Sequence, residues 1–411
     1  MDDAAEAGAG EVTEAGEVHS GLDHQERQVH KQAARQSIAS LPTLPPFWTI
    51  GRSEQFNIAR ALKRPLSGYI GGNSRAGYWI ERLSEEWSEA FQCRYSIPCN
   101  SATSGLLAAC LAAGIEESDL VWVSDYTMSA SATCALLLGA EVRFLDIDPV
   151  FFTMTETVQP PFPKAIIVTN LFGCAASLKE LREFCDGRGI IMIEDNAQAP
   201  FATCKGKYTG TIGHIGVYSL NVHKHLQSGE GGVIVTDNSQ LAHRIDCAIN
   251  HGELMRTNPY MGLNLRMTEP IAAIASAQLE KGTRIVQGRI ALAEAITDCF
   301  TGIDFVEPPT ARPESVHVYY MWAGKVTGPD ARNKRGALLG RLQARNIPFR
   351  AGYSVPLHRL FEPPEFEAEY PVTCEMEDDR LFTFEICAYD PKAHHLKAMK
   401  KIIQQEADRI K

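Results

Sequence analysis

No apolar run in this sequence approaches the ~20 residues that a bilayer-spanning helix needs. There is no surplus of positive charge either: 40 Lys and Arg stand against 50 Asp and Glu, a formal net charge of −10. A duplex-binding or anionic-membrane role therefore has no electrostatic footprint. The eleven cysteines, scattered from Cys93 to Cys387, form no C-x-x-C pair and keep no histidine spacing of a zinc site. They read as reduced thiols of a cytoplasmic protein, with no metal expected. The opening segment, MDDAAEAGAGEV, is acidic where a secretory signal is basic and then apolar. No internal repeat is present.

What is present is 411 residues with 45% hydrophobic and 22% charged content, enough for two or more domains with a sizeable core. Residues 1–26 carry eight acidic side chains and no Lys or Arg, so without them the formal charge is −2. That stretch has too little apolar surface to offset the entropy of ordering, which predicts a disordered acidic tail. A short polar helix is expected near 25–40, then a linker, Leu41-Pro-Thr-Leu-Pro-Pro46, since three prolines in six residues disfavour helix and sheet. The folded body is expected from Phe47, with a large domain over 47–282 and a smaller C-terminal α/β domain over 283–411.

Within that body short apolar strands alternate with helices. Strands are expected at 120–123, 142–145, 165–168, 190–193 and 233–235, and helices at 78–91, 104–113, 129–138 and 177–185. Doubly apolar strands separated by helices predict a mostly parallel sheet covered on both faces. Beyond Gly282 come a helix to Phe300, strand-like pieces over 316–326 that include Tyr319, Tyr320 and Trp322, a helix around 335–345 and a charged C-terminal helix. The two tyrosines and the tryptophan are expected to pack in this cap.

Three segments fall where an open α/β sheet places its ligands, at strand carboxyl ends and helix starts. Ile190-Ile-Met-Ile-Glu-Asp195-Asn-Ala-Gln198 is an apolar strand ending in two carboxylates. Ser219-Leu-Asn-Val-His-Lys224-His-Leu-Gln-Ser-Gly229-Glu-Gly-Gly232 sets a lysine between histidines and before three glycines. A desolvated lysine loses pKa and can act as an amine nucleophile. Asn100-Ser-Ala-Thr-Ser-Gly105 opens a helix and offers backbone N–H groups to an anion. Each has a plainer reading, as strand exit, surface lysine or N-cap. Together an amine, a carboxylate and an anion seat meet the needs of pyridoxal 5′-phosphate.

The segments NSATSGL, IEDNAQA, S-x-x-x-x-K followed by GEGG, GLNLRMTE and IPFRAGYSVPLH resemble, in order, the signature blocks of the DegT/StrS-type sugar aminotransferases. That resemblance implies a three-layer fold-type I aminotransferase and pyridoxal phosphate. Lys224 would form the Schiff base and shuttle the proton, and Asp195 would pair with the pyridine nitrogen. Gln198 would lie against the ring's phenolic oxygen, while Ala102, Thr103 and Ser219 hold the phosphate. Asn264 would reach the partner subunit's phosphate in a homodimer with shared active sites. Met128, in Asp125-Tyr-Thr-Met128, stands where the family usually stacks an aromatic ring on the cofactor; a thioether also packs on an aromatic face. Ile386-Cys-Ala-Tyr-Asp-Pro391 replaces a Leu-Pro-rich strand, so family substrate contacts do not carry over there. His251 and His358 resemble positions near the substrate pocket and read equally well as structural histidines.

The implied reaction moves an amino group from an amino acid, usually glutamate, to a keto-sugar, most often a nucleotide-linked one in this family, or to a keto-cyclitol, in sugar or antibiotic biosynthesis. A nucleotide-linked acceptor needs cations, for which Arg75, Arg266 and Arg350 are candidates. A family subset that dehydrates sugars has histidine in place of the lysine. A deoxysugar dehydratase and a non-catalytic cofactor-binding regulator therefore stand as the alternatives.

Overall fold

In chain order the first strands are β1 (Tyr95–Cys99), β2 (Leu120–Ser124), β3 (Glu141–Leu145), β4 (Ala165–Thr169), β5 (Ile191–Asp195), β6 (Thr203–Cys204), β7 (Lys207–Tyr208), β8 (Ile215–Ser219) and β9 (Gly232–Thr236). These come from a computed structural model that describes residues 40–67, 77–155, 160–252 and 262–410. The acidic tail expected over 1–26, all but the last residue of the polar helix expected near 25–40, and Arg75 lie outside the described residues.

Seven strands form one sheet in the order β1-β9-β8-β5-β4-β2-β3. β2, β3, β4, β5 and β8 pair in parallel, and only β9 runs against its neighbours β8 and β1. The mostly parallel sheet follows from side chains that alternate between two buried faces. Val121, Val123, Ile167, Ile193, Val217 and Ile234 pack with the helices Ala102–Ala112, Ala130–Leu136 and Ser239–Ile249. Their strand neighbours Trp122, Ile166, Val168 and Met192 face the helix Leu178–Asp186. Tyr218, Val233 and Val235 face the helices Tyr78–Phe91 and Glu269–Glu280. Helix, sheet and helix make the three layers.

The helix Tyr78–Phe91 buries Trp79, Ile80, Leu83, Trp87 and Phe91 along one stripe. Fully burying a side chain such as Phe91 stabilises by about 1.5–3 kcal/mol. Its first N–H groups would be orphaned, and Glu269 accepts from Trp79 N at 2.9 Å and Ile80 N at 3.0 Å. Gly77 leaves room for that carboxylate, since a Cβ there would lie 2.1 Å from a Glu269 oxygen.

The remaining strands are β10 (Val306–Glu307), β11 (Ser315–Val316), β12 (Trp322–Val326), β13 (Arg350–Ala351) and β14 (Leu381–Phe384). β11 joins β6 and β7; the other four form an antiparallel sheet in the order β10-β12-β14-β13. Phe300, Trp322, Phe349, Phe382 and Phe384 fill its core beneath the helices Gly282–Cys299, Ala331–Gln343 and Ala393–Ala407. Leu41 and Leu44 are buried in this same core, and Leu41 N donates to Arg345 O at 2.8 Å. The segment expected as a linker is thus docked structure, because its two leucines find an apolar site that its prolines leave them free to reach. All eleven cysteines are free thiols. Among the described residues no helix is long and apolar enough to cross a membrane.

Candidate active site

A cavity of about 390 Å³ opens at the carboxyl ends of the central strands, beside the start of the helix Ala102–Ala112. Seven of the eight residues expected from sequence line it: Ala102, Thr103, Met128, Asp195, Gln198, Ser219 and Lys224. Asn264 does not. It is exposed and bridges Asn250 through its backbone.

Lys224 sits in the loop between β8 and β9. Gly229 (φ +86°) and Gly231 (φ +148°) take backbone conformations that side chains disfavour, and Leu220 N and Val222 N donate to Gly231 O and Gly229 O, closing the loop on itself. Gly232 packs directly on the helix start, where a Cβ would lie 2.7 Å from Ala102 N and from the Ser101 carbonyl carbon. Ser101 caps that helix, its Oγ accepting from Ser104 N at 3.1 Å. The N–H groups of Ala102 and Thr103 have no acceptor within the helix and stand in the cavity wall at the positive end of the dipole.

Asp195, at the end of β5, accepts from Ser131 Oγ at 2.6 Å and from Ala197 N at 3.1 Å. Burial raises its pKa against the pull of those donors and of Lys224. Burial likewise lowers the Lys224 pKa, with the Asp195 charge opposing. The Lys224 ammonium lies 4.3 Å from the Tyr320 ring centroid. Glu194, the other carboxylate of the pair, points to the opposite face and accepts from Gly210 N, Ile212 N, Gly213 N and Asn170 Nδ2. Its position is structural.

Gln198 is fixed by two contacts: Oε1 accepts from Phe172 N at 2.7 Å, and Nε2 donates to Tyr353 Oη at 2.8 Å. Tyr353, whose phenol burial pushes up to about 12, also lines the cavity. Its backbone N donates to Glu377 at 3.1 Å, and the same carboxylate takes the Tyr126 hydroxyl. Neither Tyr320 nor Tyr353 was expected here. Tyr320, read as cap packing, lines the cavity because Tyr319 adopts φ +50° and breaks the strand alternation on which that reading rested. Tyr319 stacks on His317 and Trp322 is in the smaller core, as expected of cap residues.

Of the histidines, His223 lines the cavity, while His225 is buried with Nε2 against Val318 O at 2.9 Å. His358 is structural: its Nδ1 lies 2.8 Å from Asp125 Oδ2 and its ring stacks on Tyr370. Its Nε2 also neighbours Cys374 and Glu367, a grouping into which Arg359 already brings positive charge. His251 is exposed and lines no cavity described here. Arg266 donates to Asn250 Oδ1 at 2.6 Å, and Arg350 pairs with Glu385 at 2.8 Å.

The residues fit pyridoxal phosphate: a desolvated amine, a buried carboxylate facing the same cavity, and open helix N–H groups beside a glycine that only hydrogen can occupy. Fold and cavity together define a pyridoxal-phosphate-dependent enzyme of the aminotransferase class. The chain belongs to the DegT/DnrJ/EryC1/StrS aminotransferase family, whose sequence model matches residues 68–381. It is 30% identical over 291 residues to the L-glutamine:2-deoxy-scyllo-inosose aminotransferase of Streptomyces kanamyceticus, covering 67% of each chain. It is 28% identical over 331 residues to the GDP-perosamine synthase of Caulobacter vibrioides, covering 77% of this chain and 84% of that one. The fold superposes on an aminotransferase from Psychrobacter cryohalolentis with a TM-score of 0.80 at 23% identity, over 89% of this chain and 99% of the other.

Proposed function

We propose that this aminotransferase moves an amino group from an amino acid donor, glutamate or glutamine, to the carbonyl of a keto-sugar or keto-cyclitol. The observation that carries the reading is Lys224 desolvated in one cavity with Asp195 and the open helix start. The relatives are named for amino transfer to a cyclitol ketone and for synthesis of an amino sugar nucleotide.

When bound, pyridoxal phosphate supplies an aldehyde and an electron-withdrawing ring that stabilises negative charge on the carbon losing a proton. The chain's own residues supply the rest. Lys224, its pKa lowered by burial, would be the amine that holds the cofactor's aldehyde carbon and, once released, would carry a proton at Nζ. Asp195 would pair with the ring nitrogen and keep it protonated; Ser131 and Ala197 N fix its carboxylate in place. The Ala102 and Thr103 N–H groups and the Ser219 hydroxyl would hold the phosphate. Gln198, locked by Phe172 N and Tyr353, would face the ring's oxygen edge. Met128, 56% exposed at the cavity rim, would pack its thioether on the ring. Asn264, exposed outside the cavity, serves a partner subunit's phosphate in a homodimer.

Borohydride reduction of the loaded protein, followed by peptide mass spectrometry, should fix the cofactor on Lys224; attachment to another lysine would falsify the assignment. Lys224→Ala should lose the visible absorbance of the lysine-bound cofactor and all turnover. Adding glutamate or glutamine to the wild type should bleach that absorbance. Water loss from a deoxysugar in place of amine formation would point to the dehydratase, and a spectrum inert to every donor would point to a regulator.

A further inference from the structure

A second cavity of about 390 Å³ adjoins the first and shares His223 and Tyr320 with it; Met321, Arg350, Glu385 and Cys387 complete the part of its wall that matters here. Its two formally charged members, Arg350 and Glu385, hold each other at 2.8 Å. The pair is set by sheet register. Arg350 on β13 lies opposite Thr383 on β14, and Glu385 follows two residues on, in the diagonal position that shares a face. Burial pushes the Cys387 thiol up to about 12, so it stays neutral, and Met321 is apolar. Among the described residues this wall is therefore polar but carries no net charge.

A phosphate or nucleotide diphosphate is best met by an unengaged guanidinium fork. Here a carboxylate already occupies the guanidinium and would repel such an anion at close range. A hydroxyl group is both donor and acceptor. Neighbouring hydroxyls on one ring can donate to Glu385 and accept from the remaining N–H groups of Arg350 without breaking the pair.

We propose that Arg350 and Glu385 form a hydroxyl-reading pair that selects an uncharged polyhydroxy ketone as acceptor and disfavours a nucleotide-linked one. The proposal rests on the aminotransferase reading above. Both side chains stand at the solvent side of the small sheet, 66% and 33% exposed, so substitutions there leave the aromatic core intact.

The test compares wild type with Glu385→Gln, Arg350→Gln and the charge-swapped double variant Arg350→Glu/Glu385→Arg. Each, loaded with pyridoxal phosphate and given glutamate or glutamine, is assayed with scyllo-inosose and with a UDP-linked 4-keto-sugar. Calorimetry of the same proteins with myo-inositol and with UDP reads binding apart from turnover. Wild type should favour scyllo-inosose in kcat/KM. Glu385→Gln should move the ratio at least tenfold toward the UDP sugar and tighten UDP binding. Arg350→Gln should weaken myo-inositol binding, and the swap should regain the wild-type preference. A wild type that prefers the UDP sugar, or a ratio unmoved in both single variants, overturns the proposal while the donor-induced bleaching leaves the transamination reading standing. Absence of that bleaching in wild type removes the reading, and the proposal with it.

Discussion

Two adjacent carboxylates on β5 show how one residue of offset separates scaffold from chemistry. Glu194 is consumed by three backbone N–H groups and an amide, whereas Asp195 turns to the cavity with Ser131. Asp195→Asn keeps the shape and removes the charge, so transamination should fall by roughly 10²–10⁴-fold, the range for losing a positioned acid–base group. Steady-state rates and cofactor titration check this; a near-normal rate would remove Asp195 from its role. Beside the lysine, His225 is held neutral. Its Nε2–H donates to Val318 O while Nδ1 has no partner, so a second proton would be buried without an acceptor, and its pKa falls to about 4. The folded state then binds fewer protons than the unfolded one between about pH 4 and 6.5. The contribution is fully present above 6.5 and is lost as pH falls toward 4, by up to about 3 kcal/mol. Urea melts across that window should show the loss, and His225→Gln should flatten it. That Lys224, Asp195 and the helix start meet in one cavity was readable because each lies in one short stretch with its glycines or small residues. Tyr353 was not, since its partners Gln198 and Glu377 are distant in the chain.

At the scale of elements, the β8–β9 hairpin does two jobs. Its loop carries Lys224, and its return strand packs Gly232 against the helix start. Gly232→Ala should push the Ala102 and Thr103 amides away from the cavity and weaken pyridoxal-phosphate affinity at least tenfold, measured by fluorescence titration of the apoprotein. Unchanged affinity would mean that these amides do not hold the phosphate. Sequence reading found β2, β4, β5 and β9 to within a residue or two because they are largely continuous apolar runs, and β3 from Val142, Phe144 and Leu145 around the charged Arg143. It missed β1, where Tyr95-Ser-Ile-Pro-Cys99 carries a proline at the sheet's edge, and β8, whose Gly216 nests against Gly210 with a Cβ position only 1.8 Å from Gly210 O. In both, tertiary packing outweighs weak local propensity.

Across the whole molecule, the formal charge of −10 belongs mostly to the first 26 residues, so overall acidity says little about the acceptor. The start of the described fold is a sharper matter. Leu41 is 1% exposed in the core of the smaller sheet, and Leu41→Ala should cost roughly 2–5 kcal/mol. A chain beginning at Phe47 should melt well below one beginning at Leu41; equal melting temperatures would make the docked leucines incidental. The Arg350–Glu385 pair could not be read from sequence, because only the β13–β14 register brings residues 35 apart into contact. That same register has a wider meaning. Lys224, Asp195 and the helix start hang from the central sheet, while Arg350 and Glu385 hang from the small one. On the roles proposed above, bond-making and ligand choice sit on separate frames, so replacing a few side chains on β13 and just beyond β14 should retarget the enzyme with its reaction centre untouched.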